Sequence, residues 1–306
     1  MARRHGRSLL ALLTVAALAA CSGGESGGPA STSAPAPDET TTSVVAAAST
    51  TTTVGITTTS AAQSTSTALH SPGPDEIDAD IEVPSGEGPF PAVVLVHGGG
   101  WITGDPSIMR PLARHLNGNG FLTINTRYAL SALGIPGYPE AVDDVACAVR
   151  VAASHPDSDG TVAIIGHSAG AHIGALVALT GDAYGADCPA SGTGIPHRFV
   201  GLAGPYDVGR LGLAMQIFFG AAPEVAPDLW KTGNPQHLTD ANPDLDSLIM
   251  YGEFDGLVED RFAFEFFDAL EASGSTALLE LIEGARHHEM HDPDLVGDLI
   301  VTWLDR

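Results

Sequence analysis

The stretch T-V-A-I-I-G-H-S-A-G-A-H-I-G-A-L-V-A-L, residues 161–179, decides how the rest of the chain is read. Val162, Ile164 and Ile165 form the apolar, β-branched run of a buried strand, and the small apolar residues from Ala169 onward form that of a buried helix. Between them Gly166 and Gly170 permit a sharp strand-to-helix turn with Ser168 at its apex. Such a turn lifts the serine hydroxyl off the sheet and sets the Ala169 amide at a helix N-terminus. With 36 glycines in 306 residues, G-x-S-x-G arises by chance roughly 0.3 times in a chain of this make-up. The motif therefore takes its meaning from its surroundings.

Outward from that turn, strand-like and helix-like segments alternate from about residue 71 to the C-terminus. This predicts an α/β domain, with a mostly parallel central sheet flanked by helices on both faces. Strands are expected over 77–83, 92–97, 121–126, 161–165, 199–203, 248–252 and 277–282, and helices over 108–117, 141–154, 169–180, 259–272 and 294–304. Residues 210–231, with Leu211, Leu213, Phe218, Phe219 and Trp230, read as a helix and loop near the site, either ordinary core or a mobile lid.

Three of the expected strands run into residues that carry chemistry. The first is P-A-V-V-L-V-H-G-G-G-W, residues 91–101. Three consecutive glycines after a buried strand are entropically costly, so backbone must approach something closely there. If that is a carbonyl oxygen, the amides of Gly99, Gly100 and Ala169 form an oxyanion hole, each donor worth roughly 2.7–4 kcal/mol. His97, on the strand end, orders the loop by hydrogen bonding. A serine hydroxyl needs a base to take its proton and a carboxylate to fix that base's tautomer. Asp255 follows one strand in G-E-F-D-G-L-V (residues 252–258), and His287 follows the next in E-G-A-R-H-H-E-M (residues 283–290). Both project from the same sheet edge as Ser168, with Glu253 as the alternative acid. His288 competes with His287 for the role of base; the earlier residue, nearer its strand, is the better placed, and His288 is expected to pack against the site wall. A metal site built from His287, His288, Glu289, His291 and Asp292 is disfavoured, because adjacent histidines rarely face one ion and no H-E-x-x-H spacing is present.

With these residues in place, the chain from about residue 71 onward resembles an α/β-hydrolase of the H-G-G-G-W carboxylesterase type. It is similar to bacterial feruloyl-esterase-like proteins, kynurenine formamidases and, more distantly, hormone-sensitive-lipase-like esterases. The resemblance is carried by H-G-G-G-W-I-T-G-D (97–105), Y-P-E-A-V-D-D-V (138–145), G-H-S-A-G-A-H (166–172), G-L-A-G-P-Y-D-V (201–208) and the Asp255 and His287 loops. It implies a serine hydrolase with a Ser168, Asp255, His287 triad in the chain order of this fold, acting through an acyl-enzyme on carboxylic esters of small or medium size. The formamidase-like pattern G-A-x-H followed by an apolar residue places the base at His287. The chain departs from its relatives at N-T-R-Y-A-L (125–130), where many place tyrosine before arginine, and at His288, where formamidase-like relatives often have phenylalanine. An amide hydrolase, formamidase-like or a peptidase, is the nearest alternative. A catalytically silent binding lipoprotein on the same fold is another, and the intact set of three residues argues against it.

Composition bounds what else the chain can do. A formal charge of −24 disfavours nucleic acid and anionic substrates, and no phosphate-loop or dinucleotide spacing appears, so no cofactor is expected. Residues 1–21 have an arginine-bearing start, an apolar run over 9–20 and the ending L-A-A-C. That ending resembles the bacterial lipoprotein box, which implies cleavage before Cys21 and its acylation; the apolar run is short for a transmembrane anchor. Removal of Arg3, Arg4 and Arg7 with the signal takes the charge to about −27. Residues 22–70, rich in Ser, Thr, Ala, Pro and Gly, lack the means to bury a core and read as a tether spanning on the order of 40 Å. The expectation is an extracytoplasmic enzyme held at the bacterial cell membrane by its N-terminal lipid alone, with residues 71–306 as the catalytic domain. Cys147 and Cys188, the remaining cysteines of an exported domain, are expected to form a disulfide.

Overall fold

The computed structural model describes residues 77–306; the expected signal, lipid-bearing Cys21 and tether lie outside the described residues. Seven strands form one sheet: β1 (Ala79–Glu82), β2 (Phe90–Val96), β3 (Leu122–Thr126), β4 (Ser158–His167), β5 (Arg198–Leu202), β6 (Asp246–Gly252) and β7 (Thr276–Ile282), in the order β1-β3-β2-β4-β5-β6-β7. β1 pairs antiparallel with β3 at one edge, and every other pairing is parallel. The helices are α1 (Arg110–Gly118), α2 (Glu140–Ser154), α3 (Ala169–Thr180), α4 (Leu213–Phe219), α5 (Pro227–Thr232), α6 (Arg261–Ser273) and α7 (Pro293–Leu304).

Successive strand residues point to opposite faces, and both faces are apolar. Val93, Leu95, Ile165, Val200 and Met250 pack with Leu112 and Leu116 of α1 and Val296, Ile300 and Trp303 of α7. Their neighbours Val94, Val96, Ile164, Phe199 and Ile249 pack with Val142 and Val145 of α2, Ile173 and Leu176 of α3, and Phe266 and Leu270 of α6. This double burial explains the continuous apolar runs by which the central strands were legible. It gives the α/β-hydrolase fold expected from the sequence, with helices on both faces.

Two segments differ from expectation. β4 begins at Ser158 rather than at 161: Ser158 pairs with Phe90 ahead of a register shift, and residues 158–161 alternate between half-buried and exposed, leaving no apolar signal. Residues 210–231 divide into α4, α5 and connecting loop. Met215, Phe218, Phe219 and Trp230 are buried there, and the Phe218 carbonyl accepts the amides of Gly137 and Tyr138, both at 3.1 Å. These four side chains are ordinary core, while Leu213 and Val225 of the same segment are exposed. Cys147 on α2 and Cys188, in the segment after α3, form a disulfide with a Cα–Cα distance of 5.3 Å.

Because β2, β4, β6 and β7 run parallel, the loops that follow them emerge on one edge. Those loops carry the three glycines, Ser168, Asp255 and His287.

Candidate active site

The turn between β4 and α3 holds Ser168 at φ 54°, ψ −120°, a left-handed value that costs a non-glycine residue on the order of 1–3 kcal/mol. The surroundings enforce it. The Ser168 amide donates to the Leu202 carbonyl at 2.9 Å, and its carbonyl takes the Ala171 and His172 amides. A Cβ on Gly170 would stand 2.2 Å from the Val96 carbonyl oxygen, so the absent side chain is what lets the first turn of α3 dock on the end of β2. That contact brings the serine and the glycine loop together.

His287 is the histidine that meets the serine. Ser168 Oγ–H donates to its Nε2 at 2.8 Å, and its Nδ1–H donates to Asp255 Oδ2 at 2.7 Å. The partners fix this tautomer, since an ionised carboxylate only accepts. The other Asp255 oxygen accepts the Leu257 and Val258 amides, each at 2.9 Å. Burial pushes the Asp255 carboxyl up, but the His287 bond and the two amides outweigh it and hold the group below its ordinary range. Glu253 does not reach the base; it accepts the Gly284 amide at 2.9 Å and so ties the β6 loop to the β7 loop. His288 is exposed, which corrects the expectation that it packs against the site wall: the short 3-10 turn of residues 287–289 aims successive side chains in different directions.

The glycine loop approaches Ser168 itself. A Cβ on Gly98 would lie 2.8 Å from His167 Nδ1 and 3.1 Å from Ser168 Cβ, which answers what the backbone must approach. Gly99 and Gly100 follow with φ of 134° and 61°. Among the described residues their amides donate to no protein group, and the Ala169 amide, in the first turn of α3, has no partner within its helix. His97 is buried at the end of β2; its Nδ1–H donates to the Gly98 carbonyl at 2.8 Å, while Tyr128 Oη donates to the His97 carbonyl at 2.9 Å and its ring stacks on the imidazole. In the departing stretch 125–130 the tyrosine thus props the glycine loop, and the buried Asn125 side chain holds the Pro106 carbonyl at 2.7 Å.

One residue beside the serine was not anticipated. His167 donates Nε2–H to the His287 carbonyl at 2.9 Å, and its ring lies 5.0 Å from that of His287. Burial, reinforced by the neighbouring His287, drives its pKa down to about 3, so it is a neutral prop beneath the base loop. The available signal was a polar residue inside an apolar strand end, which demands a partner. A separate cavity of about 630 Å³, lined by residues such as Asp78, Tyr128, Asp144 and the disulfide, contains none of Ser168, Asp255 or His287.

Residues 79–270 match the BD-FAE family. An acetyl ester-xyloside bifunctional hydrolase from Caldicellulosiruptor lactoaceticus has a similar structure, with a TM-score of 0.65 at 17% identity over 80% of this chain and 93% of that one. A truncated carbohydrate esterase from gut microbiota gives 0.64 at 19% identity, covering 74% and 90% respectively. Thermogutta terrifontis esterase 2, phosphoramylated by tabun, gives 0.58 at 21% identity, covering 74% and 86%. The family match spans the glycine loop, the serine turn and the acid loop, and by it the chain belongs to the BD-FAE family.

Proposed function

We propose that the protein is a serine hydrolase that cleaves carboxylic esters of small or medium size through an acyl-enzyme. The observation that carries this reading is the continuous relay from Asp255 through His287 to Ser168, at 2.7 and 2.8 Å, beside backbone amides that have no partner among the described residues. Ser168 Oγ attacks the ester carbonyl as its proton passes to His287 Nε2, and Asp255 stabilises the resulting imidazolium. The carbonyl oxygen becomes an oxyanion that accepts from the amides of Gly99, Gly100 and Ala169. The imidazolium then protonates the leaving alcohol as the C–O bond breaks, leaving the acyl group on Ser168. Water repeats the sequence: His287 takes its proton, the hydroxide adds to the acyl carbon, and the acid departs as Ser168 regains its proton.

The rim of this edge favours neutral, partly apolar substrates. Ile102, Leu133, Ile135, Phe254 and Leu257 are exposed on loops that leave the same ends of the strands, and Leu213 is exposed at the start of α4. A small acyl group is in keeping with the similar structures, which include an acetyl ester-xyloside bifunctional hydrolase and an esterase with propionate or butyrate bound. Replacement Ser168→Ala in the purified protein should abolish p-nitrophenyl acetate turnover while leaving the thermal transition in place; undiminished turnover would overturn the reading. We also propose that the enzyme is exported and anchored by acylated Cys21, a reading that rests on the L-A-A-C ending and the tether-like composition that follows it.

A further inference from the structure

α3 carries one histidine, four residues beyond Ser168 and so one helical turn on. His172 is wholly buried among small and apolar neighbours, where an imidazole is costly unless both ring nitrogens are paired. Both are. The Trp101 indole N–H donates to Nδ1 at 3.1 Å, and Nε2 lies 2.9 Å from the Gly233 carbonyl. An indole nitrogen only donates and a carbonyl only accepts, so Nδ1 must be bare and Nε2 must carry the proton. Burial drives the His172 pKa down to about 4, which keeps the ring in that form at neutral pH.

The far end of the first bond is the residue that closes the glycine loop. Trp101 directly follows Gly99 and Gly100 and is itself left-handed, at φ 63°. Its carbonyl accepts the Ser131 amide at 2.7 Å, and its buried ring meets His172 edge-on, with centroids 5.5 Å apart, and Phe218 at 5.8 Å. A loop whose three glycines confer no stiffness of their own needs such an anchor if its amides are to hold a fixed position. The anchor is on the nucleophile's own helix, so loop and serine are referred to one rigid element. The second bond reaches Gly233, at the end of α5, and fixes the orientation of the ring.

We infer that His172 is a positioning residue that, through Trp101, sets the Gly99 and Gly100 amides against the oxyanion formed at Ser168. This rests on the hydrolase reading above. Its chemistry is separable from packing because amide side chains reproduce one ring nitrogen at a time. In His172→Asn, Oδ1 stands near the position of Nδ1 and keeps the Trp101 bond. In His172→Gln the terminal amide stands near Nε2 and keeps the Gly233 bond instead.

The test is steady-state kinetics on p-nitrophenyl acetate, with binding of a trifluoromethyl ketone, whose hemiketal oxygen occupies an oxyanion site. The variants are His172→Gln, His172→Asn, Trp101→Phe and the double variant His172→Gln/Trp101→Phe. We expect His172→Gln and Trp101→Phe each to lower kcat about 30-fold with KM within threefold, and to weaken the ketone in proportion. His172→Asn should recover most of the loss, and the double variant should fall no further than Trp101→Phe alone. Equal losses in the Asn and Gln variants, multiplying losses in the double variant, or a kcat loss without weaker ketone binding would each overturn the assignment. Should His172→Gln not fold, Trp101→Phe alone decides by the kcat and ketone pair. Labelling of Ser168 by a fluorophosphonate in the wild type distinguishes failure of this inference from failure of the hydrolase reading.

Discussion

At the scale of residues, the site depends on which groups are kept neutral and which charged. His287 is placed by its two bonds and His288 is exposed. His287→Ala should therefore lose on the order of 10³-fold or more in kcat, while His288→Ala should stay within about threefold, as exposed side chains generally do. Steady-state kinetics on both variants checks this, and a large loss in His288→Ala alone would move the base by one residue. The buried props carry a cost in stability. His167 and His172 have folded pKa values of about 3 and about 4, below the ordinary 6.5. As pH falls through 6.5 the unfolded chain takes up protons on both that the folded chain refuses. Their contribution to stability is intact above 6.5 and shrinks with acidification until about pH 4 for His172 and about pH 3 for His167. The two together give a loss of about 2.5 kcal/mol per pH unit near pH 5.5, and His97 and His291, also lowered by burial, act in the same direction. Urea unfolding at pH 7, 6 and 5 measures the slope; a flat profile would mean that these rings are not held neutral.

Among elements, the parallel strands were legible because both faces of the sheet are covered, so that V-V-L-V in β2 and V-A-I-I in β4 read as continuous apolar runs. α3 was legible to the residue, since a nucleophile turn fixes its start. The polar beginning of β4 was not, because an exposed end leaves no period to read, and residues 210–231, read as one helix and loop, hold two helices too short for a period to separate them. That Ser168, Asp255 and His287 meet was visible from strand order, as each follows a strand of the same direction. The props His167, His172 and Tyr128 escaped because their partners are backbone or indole groups distant in sequence, and spacing does not encode such pairs. The disulfide joins α2 to the segment after α3 over a separation of 41 residues. Replacing Cys147 and Cys188 by alanine should cost roughly 4 kcal/mol in the chain-entropy description. Denaturant unfolding of oxidised and double-variant protein measures it, and equal midpoints at equal slope would show that the bridge constrains nothing.

For the molecule as a whole, the proposal of export and an N-terminal lipid anchor rests on the composition of residues 1–70. Growth with labelled palmitate should mark the wild-type chain and not Cys21→Ser; a labelled Cys21→Ser chain would place the lipid elsewhere or remove it from the account. The central claim is that one serine, held in a strained turn beside its base and beneath free amides, is the nucleophile. Its most direct test is the mass of the folded protein after treatment with a fluorophosphonate, followed by peptide mapping. The account predicts one equivalent, on the peptide containing Ser168, with none on Ser168→Ala and none once the protein is unfolded. A folded protein that stays unlabelled, or carries the adduct on another residue, would contradict it.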